Sequence, residues 1–453
     1  MELIKIVQNA GIVGAGGAGF PTHVKLNAKA EFFIVNAAEC EPLIETDKFL
    51  CRTFPDKIVG GTVIAAAHLG AKRTVIALKG KYRAEIEALK RSAERANANI
   101  EFFEMPSFYP AGDEQSMVQM VTGKTVPERG IPLEVGAVVN NVGTMLNLFD
   151  AVNEGKPVCD KYLSVVGEVK EPIMLHVPIG THVSECIEKA APSIKDYAII
   201  LGGPMMGKTV IDPKEISESV VTKTTGNIIV LPQDHYLIQR SMVSIERIKK
   251  QARSACIQCR FCTDLCPRYL IGHRIRPHMI MRNLWREDRL SDDEEFKQCF
   301  GEAVNCCDCG LCEMFSCPMM LSPRKINIYM KQKLRERNIK VEKTPDPAVL
   351  DIIDMHRVPT ERLVPRLGLS EYYPLHAREC FELYPDEVYI PFSQHIGKPA
   401  EPRRAAGEKI EKGELLAAAA EGALSANIHS SISGRILSID NKGAHISRKE
   451  EKA

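Results

Sequence analysis

The sequence predicts a multidomain protein of mixed α/β and α+β class. Its 453 residues exceed the roughly 100–200 that a single domain usually takes. Three regions differ in pattern: alternating helices and strands at the start, a cysteine-rich helical region over 236–337, and glycine-punctuated short strands after 389. Alternation in the first region predicts a parallel sheet with loops at its carboxyl edge, where a cofactor can lie.

The composition excludes several classes of function. A formal net charge of +1 argues against nucleic acid as a partner, because no basic face dominates. No apolar run reaches the ~18 residues of a membrane helix, so we expect no membrane-spanning segment. The start of the chain lacks a signal-peptide pattern. Together with fifteen cysteines, this predicts a cytoplasmic protein whose thiols bind metal rather than form disulfides.

In the first region, residues 1–155, we expect strands near 32–35, 74–78 and 100–103 and helices near 55–70 and 82–98, from β-branched runs and amphipathic spacing respectively. This alternation is typical of a nucleotide-binding α/β domain.

A glycine-rich loop precedes the first of these strands. Gly14, Gly16 and Gly19 satisfy G-x-G-x-x-G, and Glu39 lies twenty positions beyond the last glycine, as in a dinucleotide-binding fingerprint. Pro21 interrupts the helix that should follow, so the usual fingerprint context is missing. The exposed backbone N–H groups of such a loop can cradle a phosphate. A purely structural glycine turn is the alternative.

The loop resembles the flavin loop of the NADH-binding subunit of respiratory complex I, G-x-G-G-A-G-F-P-T-G-x-K. The matching residues are Gly14, Gly16, Gly17, Ala18, Gly19, Phe20, Pro21, Thr22 and Lys25. The segments 36–42, 109–114 and 140–144 resemble three further segments of that family, in the same order. The sequence departs at His23, which replaces a glycine, at Ala38, which replaces an aspartate, and at Asp113, which replaces a glutamate.

This resemblance implies FMN as a cofactor and NADH as the electron donor. The residues expected to hold the flavin are Gly14, Gly16, Gly17, Gly19, Phe20, Lys25, Asn36, Glu39, Asn140 and Asn141. The candidate catalytic residues, expected to contact the nicotinamide nucleotide, are Glu41, Asp113 and Glu114. Taken singly, each of these acids would more often be a solvated surface residue. The departures at Ala38 and Asp113 leave open whether nucleotide binding is retained.

Residues 156–235 change to short β-rich pieces around one helix near 181–190. This region resembles the β-grasp module of the soluble-ligand-binding type. A turn-rich loop at 202–207 precedes its last strand. The loop is interpreted as a structural turn, with ligand binding as the alternative.

A repeated cysteine pattern dominates the region 236–337. The first run, C-x2-C-x2-C-x3-C-P, and the second, C-x2-C-x2-C-x4-C-P, supply eight thiols: Cys256, Cys259, Cys262, Cys266, Cys306, Cys309, Cys312 and Cys317. This is the ligand pattern of bacterial ferredoxins with two [4Fe–4S] clusters. A pair of zinc sites is the alternative, but zinc would need only paired thiols. We expect helices at 236–255 and 323–337 to lead into and out of the clusters.

In two-cluster ferredoxins the fourth cysteine of each run binds the opposite cluster. We therefore predict that Cys266 completes the cluster of the second run and Cys317 completes that of the first. Cys307 has the wrong spacing for the repeat and is interpreted as a bystander. Most of the other cysteines are expected to be small buried hydrophobic residues.

Residues 338–388 are rich in proline and charge and are predicted to form an extended connector that packs on other domains. Residues 389–453 resemble the barrel-sandwich hybrid of biotinyl and lipoyl domains. No lysine occupies the carrier turn, where the sequence reads Leu424-Ser425-Ala426-Asn427. We therefore expect a docking module rather than a swinging arm.

The whole domain set resembles the RnfC component of the Rnf ferredoxin–NAD oxidoreductase complex, with the barrel-sandwich module last instead of first. The order and length are most similar to the cobalamin reductases of propanediol-utilisation microcompartments. This resemblance implies an NADH-dependent oxidoreductase that passes electrons through FMN and two [4Fe–4S] clusters to a corrinoid. A flavin suits this role because it accepts a hydride pair and releases electrons singly.

Two alternatives to the reductase remain. One is an Rnf-like component that exchanges electrons between NADH and a ferredoxin or a membrane complex, and the other is an electron carrier that has lost nucleotide binding. The resemblance also implies an adenosyltransferase, another redox partner protein or a microcompartment shell as partners, inside a bacterial microcompartment. The terminal acceptor, the direction of electron flow and the oligomeric state are not encoded in any motif.

Overall fold

The structure is a computed structural model and describes residues 2–344 and 346–449. The described residues contain five sheets, of which the first is parallel throughout, in the order β3-β2-β1-β5. The strands of the first region are β1 Phe32–Asn36, β2 Arg73–Lys79, β3 Glu101–Met105, β4 Phe108–Tyr109 and β5 Ala137–Asn141. The helices are α1 Glu2–Asn9, α2 Thr22–Leu26, α3 Thr46–Thr53, α4 Pro55–Leu69, α5 Arg83–Arg95, α6 Glu114–Thr122 and α7 Val142–Asn153, with a 3-10 turn at Pro132–Val135.

The sequence of β1, FFIVN, explains its central place in this sheet. Its first four residues are buried, as expected for a parallel strand covered by helices on both faces. The helix α4 begins at Pro55 and ends before Gly70, which adopts the left-handed conformation at φ 65°, the usual proline-first, glycine-last arrangement. The carboxyl ends of β1 and β5 lie side by side, with Asn36 opposite Asn141.

The second region forms a mixed six-stranded sheet. Its strands are β6 Asp160–Gly167, β7 Ile173–Pro178, β8 Tyr197–Leu201, β9 Lys208–Val210 and β10 Asn227–Pro232, and its helices are α8 Val183–Lys189 and α9 Pro213–Glu218. The order across the sheet is the strand Cys380–Glu382, then β7, β6, β10, β8 and β9. The edge strand therefore comes from the segment that the sequence analysis treats as a connector.

The cysteine-rich region is helical, as predicted. Its helices are α10 Tyr236–Ser241, α11 Ile245–Ala255, α12 Phe261–Asp264, α13 Pro267–Leu270, α14 Pro277–Asn283, α15 Asp293–Phe300 and α16 Pro323–Glu336, with 3-10 turns at Leu284–Arg289 and Gly301–Asn305 and a π-helical turn at Cys312–Ser316. The prediction of one helix over 236–255 is wrong. The Ser244 side chain accepts a hydrogen bond from Arg247 N and begins a new helix as its N-cap.

The segment 338–388 is more ordered than an extended connector. It contains α17 Ile353–His356, β11 Val358–Pro359, α18 Thr360–Arg366 and β12 Cys380–Glu382. The strand β11 pairs with β4 so that Val358 lies opposite Tyr109. Val358, Leu363 and Val364 are buried in the same hydrophobic cluster as Tyr109 and Cys309, and this burial explains why the segment folds onto its neighbours.

The last region forms two small sheets around one hydrophobic cluster. Its strands are β13 Glu387–Pro391, β14 Glu401–Pro402, β15 Lys409–Ile410, β16 Leu415–Ala418, β17 Ile428–His429, β18 Gly434–Ile439 and β19 Gly443–Ser447. Buried Lys223 donates hydrogen bonds to the carbonyl oxygens of Gly11 at 2.6 Å and Asn427 at 2.7 Å. One side chain thereby joins the first, second and last regions. None of the helices in the described part of the chain combines the length and the hydropathy needed to cross a bilayer.

Candidate flavin and iron–sulfur sites

The predicted flavin residues meet at the carboxyl edge of β1 and β5. The glycine loop lies against the start of α7, where Ala15 N donates to Thr144 Oγ1 at 3.0 Å. A Cβ added at Gly16 would lie 2.6 Å from Asn141 Nδ2, so only glycine fits this position. Asn36 Nδ2 donates to the carbonyl oxygen of Gly112 at 3.0 Å. The structure therefore brings the glycine loop and the segments 36–42, 109–114 and 140–144 together.

Lys25 projects into the same region. Its Nζ donates to the carbonyl oxygen of Val139 at 2.6 Å and to Glu114 Oε1 at 2.7 Å. The lysine is thus held by β5, one strand end from the paired asparagines. Glu114 is 43% exposed on its side chain, so it can exchange this partner for a ligand group without a large desolvation cost.

The residues present fit a flavin. Asn140 is 3% exposed, and its Nδ2 has no hydrogen-bond partner among the described residues, which is costly unless a bound group accepts from it. Gly17 faces open space, where an added Cβ would meet nothing within 4 Å, and its backbone is exposed. Phe20 is half-buried beside the loop. A buried amide donor without an acceptor, next to exposed glycine backbone, suits a planar polar ligand.

Two acids form a buried pair under the loop, and sequence analysis found only one of them. Glu39 is 8% exposed, and its Oε1 accepts from Asp47 N at 3.1 Å. Burial raises the pKa of Glu39 to about 8 and also raises the pKa of Asp47. Asn141 Nδ2 donates to Asp47 Oδ2 at 2.7 Å, so Asp47 orients a predicted flavin residue. Its only sequence signal is an acid in the first turn of α3.

Glu41 points away from the glycine loop toward the turn before β9. Its Oε2 accepts from Met205 N at 2.6 Å and from Met206 N at 3.3 Å. Gly203 leaves room for this carboxylate, because a Cβ there would collide with it. Burial raises the pKa of Glu41 to about 7, although these two backbone donors oppose the rise. The loop at 202–207, interpreted as a structural turn, thus holds a predicted nicotinamide contact.

Asp113 also has an unexpected partner. It is the N-cap of α6, and its Oδ2 accepts from Ser116 N at 3.0 Å. Its Oδ1 accepts from the guanidinium of Arg268 at 2.7 Å. Arg268 follows the Cys266-Pro267 turn directly, is 9% exposed, and also donates to Gln115. Sequence analysis missed Arg268 because nothing in its local pattern distinguishes it from other surface arginines.

Tyr109 connects the flavin edge to the second cysteine run. The side chain is 1% exposed, and its hydroxyl donates to the carbonyl oxygen of Cys309 at 2.6 Å. Four residues later Asp113 contacts Arg268, while Gly112 between them contacts Asn36. The segment 109–114 therefore touches both the flavin edge and the cysteines of the second run.

The two cysteine runs share one backbone geometry. The second and fourth residues after the first cysteine of each run have positive φ: Gln258 at 56° and Arg260 at 69° in the first, Asp308 at 59° and Gly310 at 79° in the second. Three of these four residues are not glycine, so a left-handed conformation is unusual for them. The repetition indicates that both runs wrap the same kind of group.

The thiols fall into two groups of four. A cleft is lined by Cys256, Cys259, Cys262 and Cys317. Burial first, and then negative charge at Cys317, Cys256 and Cys259, raises the pKa of Cys262 to about 12. Thiols in this state release protons when a metal centre binds them as thiolates.

The second group contains the fourth cysteine of the first run. Burial is the largest cause of the raised pKa of Cys266, and the thiols of Cys307 and Cys306 add to it. The pKa of Cys312 is likewise raised by burial and then by Cys306, with Cys266 contributing. This placement is the one that the crossed assignment requires. The ligand assignment itself remains a prediction.

Hydrogen-bond donors also lie at the sulfurs. Gln258 Nε2 approaches Cys256 Sγ at 3.1 Å, and Leu321 N approaches Cys317 Sγ at 3.3 Å. Such donors stabilise thiolates and tune cluster potentials. In the described part of the chain, no three His, Cys, Asp or Glu side chains converge as a single ion would require. The donor set therefore suits a larger group, such as a cubane cluster, better than a lone zinc ion.

The remaining cysteines are less uniform than expected. Cys51, Cys159 and Cys186 are buried, as predicted, but Cys380 is exposed on an edge strand. Cys307 is not remote from the second group, because its thiol interacts with Cys309 and with the Arg268 guanidinium. The interpretation of Cys307 as a bystander therefore needs the qualification that it contacts a predicted ligand.

Comparison with known proteins follows the same division of the chain. Models of the Nuo51 FMN-binding domain, a 4Fe-4S dicluster domain and the RnfC barrel sandwich hybrid domain match residues 7–150, 255–322 and 381–452. The chain is 40% identical over 449 residues to cobalamin reductase PduS of Salmonella typhimurium, covering 99% of this chain and 96% of that protein. The chain belongs to the PduS family of cobalamin reductases.

Other relatives cover less of the chain. The Citrobacter freundii PduS is also 40% identical, over 98% of this chain and 95% of its own length. The RnfC-type component of the proton-translocating ferredoxin:NAD(+) oxidoreductase complex of Clostridium ljungdahlii is 33% identical, over 59% of this chain and 56% of its own length. The family resemblance seen in the sequence is therefore confirmed, as is its extension to Rnf-type proteins.

A solved structure supports the fold. The NAD+-reducing [NiFe]-hydrogenase in its H2-reduced state aligns with a TM-score of 0.50 at 20% identity, covering 77% of this chain and 69% of that chain. The predicted multidomain α/β class is confirmed. The chain has an FMN-binding domain and a dicluster domain, so its cofactors are FMN and two [4Fe–4S] clusters, as predicted.

Proposed function

We propose that this protein is an NADH-dependent cobalamin reductase, which passes electrons from NADH through FMN and two [4Fe–4S] clusters to a corrinoid. The two PduS relatives are named cobalamin reductases, and they align over nearly the whole chain. One structural observation carries the electron-transfer part of the proposal. The segment 109–114 contacts Asn36 at the flavin edge and Cys309 in the second cysteine run.

The residues that would hold each group follow from their placement. Those for FMN are Gly14, Gly16, Gly17, Gly19, Phe20, Lys25, Asn36, Glu39, Asn140 and Asn141. Those for the clusters are Cys256, Cys259, Cys262 and Cys317 in one group and Cys306, Cys309, Cys312 and Cys266 in the other. When bound, a flavin takes a hydride pair from NADH and passes electrons on singly, which one-electron clusters require.

The protein's own side chains prepare this site. The free Nδ2 of Asn140 can donate to the polar edge of a ring, and Lys25 places a positive charge at the end of β5. Glu114 is the acid best placed to meet a nicotinamide nucleotide, because it is exposed and beside Lys25. Glu41 and Asp113 remain candidate contacts, although both carboxylates are engaged elsewhere.

An Rnf-like role is the second candidate function. RnfC-type components of ion-translocating complexes match about 60% of this chain, and the last region matches an RnfC module. In that case a ferredoxin or a membrane complex would replace the corrinoid as the partner.

Finer assignments of partners and location also follow from the PduS family. We propose an adenosyltransferase as the protein that receives the reduced corrinoid, and a microcompartment shell in the cytoplasm as the setting. These proposals rest on the resemblance to propanediol-utilisation proteins. Co-purification of the tagged protein with shell fragments would support the setting, and its recovery only in the free fraction would contradict it.

Anaerobic titration with NADH tests the main proposal. Protein carrying FMN and about eight irons per chain should lose its visible cluster absorbance when NADH is added without any partner. Hydroxocobalamin should then restore it with turnover. Restoration by a ferredoxin but not by hydroxocobalamin would favour the Rnf-like role. No bleaching by NADH would contradict both, and would leave an electron carrier without nucleotide binding.

A further inference from the structure

A cavity of about 600 Å³ opens at the carboxyl end of β2, on the side of β1 opposite β5. Its wall comes from α3, the turn after β2 and residues 360–378. In open α/β sheets, ligands bind outside the carboxyl ends of strands. None of the residues assigned to the flavin lines this cavity, whereas Glu41 does. The cavity is therefore a second compartment beside the flavin edge.

Lys79, the last residue of β2, lines this cavity and is 1% exposed. Its Nζ donates to Thr360 Oγ1 at 3.0 Å. An ammonium group has three donors, and no carboxylate of the described residues lies within ion-pair distance of this one. Burial lowers the pKa of Lys79 to about 8, so the group is still charged at neutral pH. A buried positive charge with unused donors thus faces the cavity.

The acids of the lining do not neutralise this charge, because each has its own partner. Glu45 pairs with Lys48 at 2.8 Å, and Glu85 pairs with Arg52. The Glu41 carboxylate accepts from two backbone N–H groups.

Positive charge is also concentrated around one aromatic ring of the wall. The ammonium groups of Lys48, Lys79 and Lys81 lie 5.6, 6.0 and 6.0 Å from the centre of the Tyr82 ring. Arg378 is exposed where it lines the cavity, and its guanidinium has no ion-pair or hydrogen-bond partner among the described residues. The compartment therefore has a cation at its floor and a second, free cation at its mouth.

We propose that this cavity binds a phosphate group of a substrate, with Lys79 as the buried anchor and Arg378 at the mouth. Phosphate oxygens accept strong charge-assisted hydrogen bonds from lysine and arginine. The source of the phosphate rests on the proposed function, which supplies two: the diphosphate of NADH and the phosphodiester in the nucleotide loop of cobalamin. Both present the same chemistry to Lys79.

Calorimetric titration of the holoprotein with inorganic pyrophosphate tests the site without any turnover. Lys79→Met should weaken binding about tenfold or more, the loss of a hydrogen bond to a charged group. Lys79→Arg should bind more tightly than Lys79→Met, and Arg378→Met should weaken binding severalfold. Lys90→Met, an exposed lysine of α5 outside the cavity, is the matched control and should bind as the wild type does. FMN and iron content report whether each variant is folded.

Competition identifies the source. Displacement of pyrophosphate by ADP assigns the site to NADH, and displacement by hydroxocobalamin but not by cobinamide, which lacks the phosphodiester, assigns it to the corrinoid. Displacement by none of them overturns the proposal, as does wild-type protein that binds no pyrophosphate or binds it equally after Lys79→Met and Arg378→Met. Pyrophosphate binding that depends on Lys79 in protein without cobalamin reductase activity would contradict the proposed function only.

Discussion

The guanidinium of Arg268 donates to Oδ1 of Asp113 at 2.7 Å, and the two side chains are only 11% and 14% exposed. Asp113 caps the helix that follows the flavin-edge segment. Arg268 stands two residues beyond Cys266. This ion pair therefore fixes the first region against the cysteine region at the point where electrons must cross between them.

Breaking this pair should cost stability. Asp113→Ala should lower the free energy of unfolding by about 3–5 kcal/mol, because it leaves a buried guanidinium without its partner. Anaerobic urea unfolding of the cluster-loaded protein measures this. Glu114→Ala, which removes an exposed pair with Lys25, should cost about 1 kcal/mol or less.

The double variant Asp113→Leu with Arg268→Met is the decisive control. Since removing both members of a buried pair costs less than removing one, the double variant should be more stable than Asp113→Ala. An unchanged unfolding midpoint in Asp113→Ala, combined with a large rise in KM for NADH, would instead favour the predicted nicotinamide contact.

The flavin loop gives a steric prediction. Gly16→Val should abolish FMN binding, because its Cβ would lie 2.6 Å from Asn141 Nδ2 and displace a residue expected to hold the flavin. Cluster content should survive, since the cysteine region supplies its own ligands. Flavin absorbance and iron content of purified protein measure the two effects. Gly226→Ala, where an added Cβ meets nothing within 4 Å, is the control, and full FMN in Gly16→Val would refute the site.

The buried acids give a pH prediction. The pKa of Glu39 is raised from 4.5 to about 8 by burial, so the folded protein holds a proton that the unfolded chain releases between these values. The free energy of unfolding should therefore fall as the pH rises through this window. Glu39→Gln keeps an acceptor for Asp47 N but cannot titrate. Its melting temperature should gain on the wild type from pH 5 to pH 8.

Glu87→Gln, at an exposed position on α5, is the matched control for this measurement. Its difference from the wild type should stay constant over the same pH range. A constant difference for Glu39→Gln as well would show that Glu39 is ionised throughout and that its burial is compensated by another group.

Local patterns predicted much of this molecule. Cysteine spacing and the order of glycine and asparagine motifs are properties of short segments, and they identified the domains that the family matches confirm. The split at Ser244 was also readable, since a serine before an acidic first turn is a common helix start. It was missed because the basic residues on both sides continue one amphipathic pattern.

Long-range packing explains what the sequence could not predict. The partners Asp113 and Arg268 lie 155 positions apart, and Lys79 and Thr360 lie 281 apart. Neither pairing follows from periodicity or propensity. Whether Glu41 meets a nucleotide or a backbone turn likewise depends on how the second region packs on the first.

The last prediction concerns the crossed ligands. The thiol of Cys266 lies among those of the second run, where Cys306 and Cys307 add to its raised pKa, while Cys317 lies with the first run. Cys266→Ser combined with Cys306→Ser should therefore damage one cluster only, leaving about four irons per chain. After dithionite reduction, its EPR spectrum should show a single cluster without magnetic coupling to a second.

Cys266→Ser combined with Cys256→Ser should instead damage both clusters, because the two thiols lie in different groups. Iron content and EPR amplitude should then both fall well below those of the first double variant. Cys380→Ser, an exposed thiol far from either run in sequence, controls for the loss of a cysteine and should keep about eight irons. If the two double variants behave the other way round, each run closes its own cluster, and the thiol grouping seen in the structure does not determine ligation.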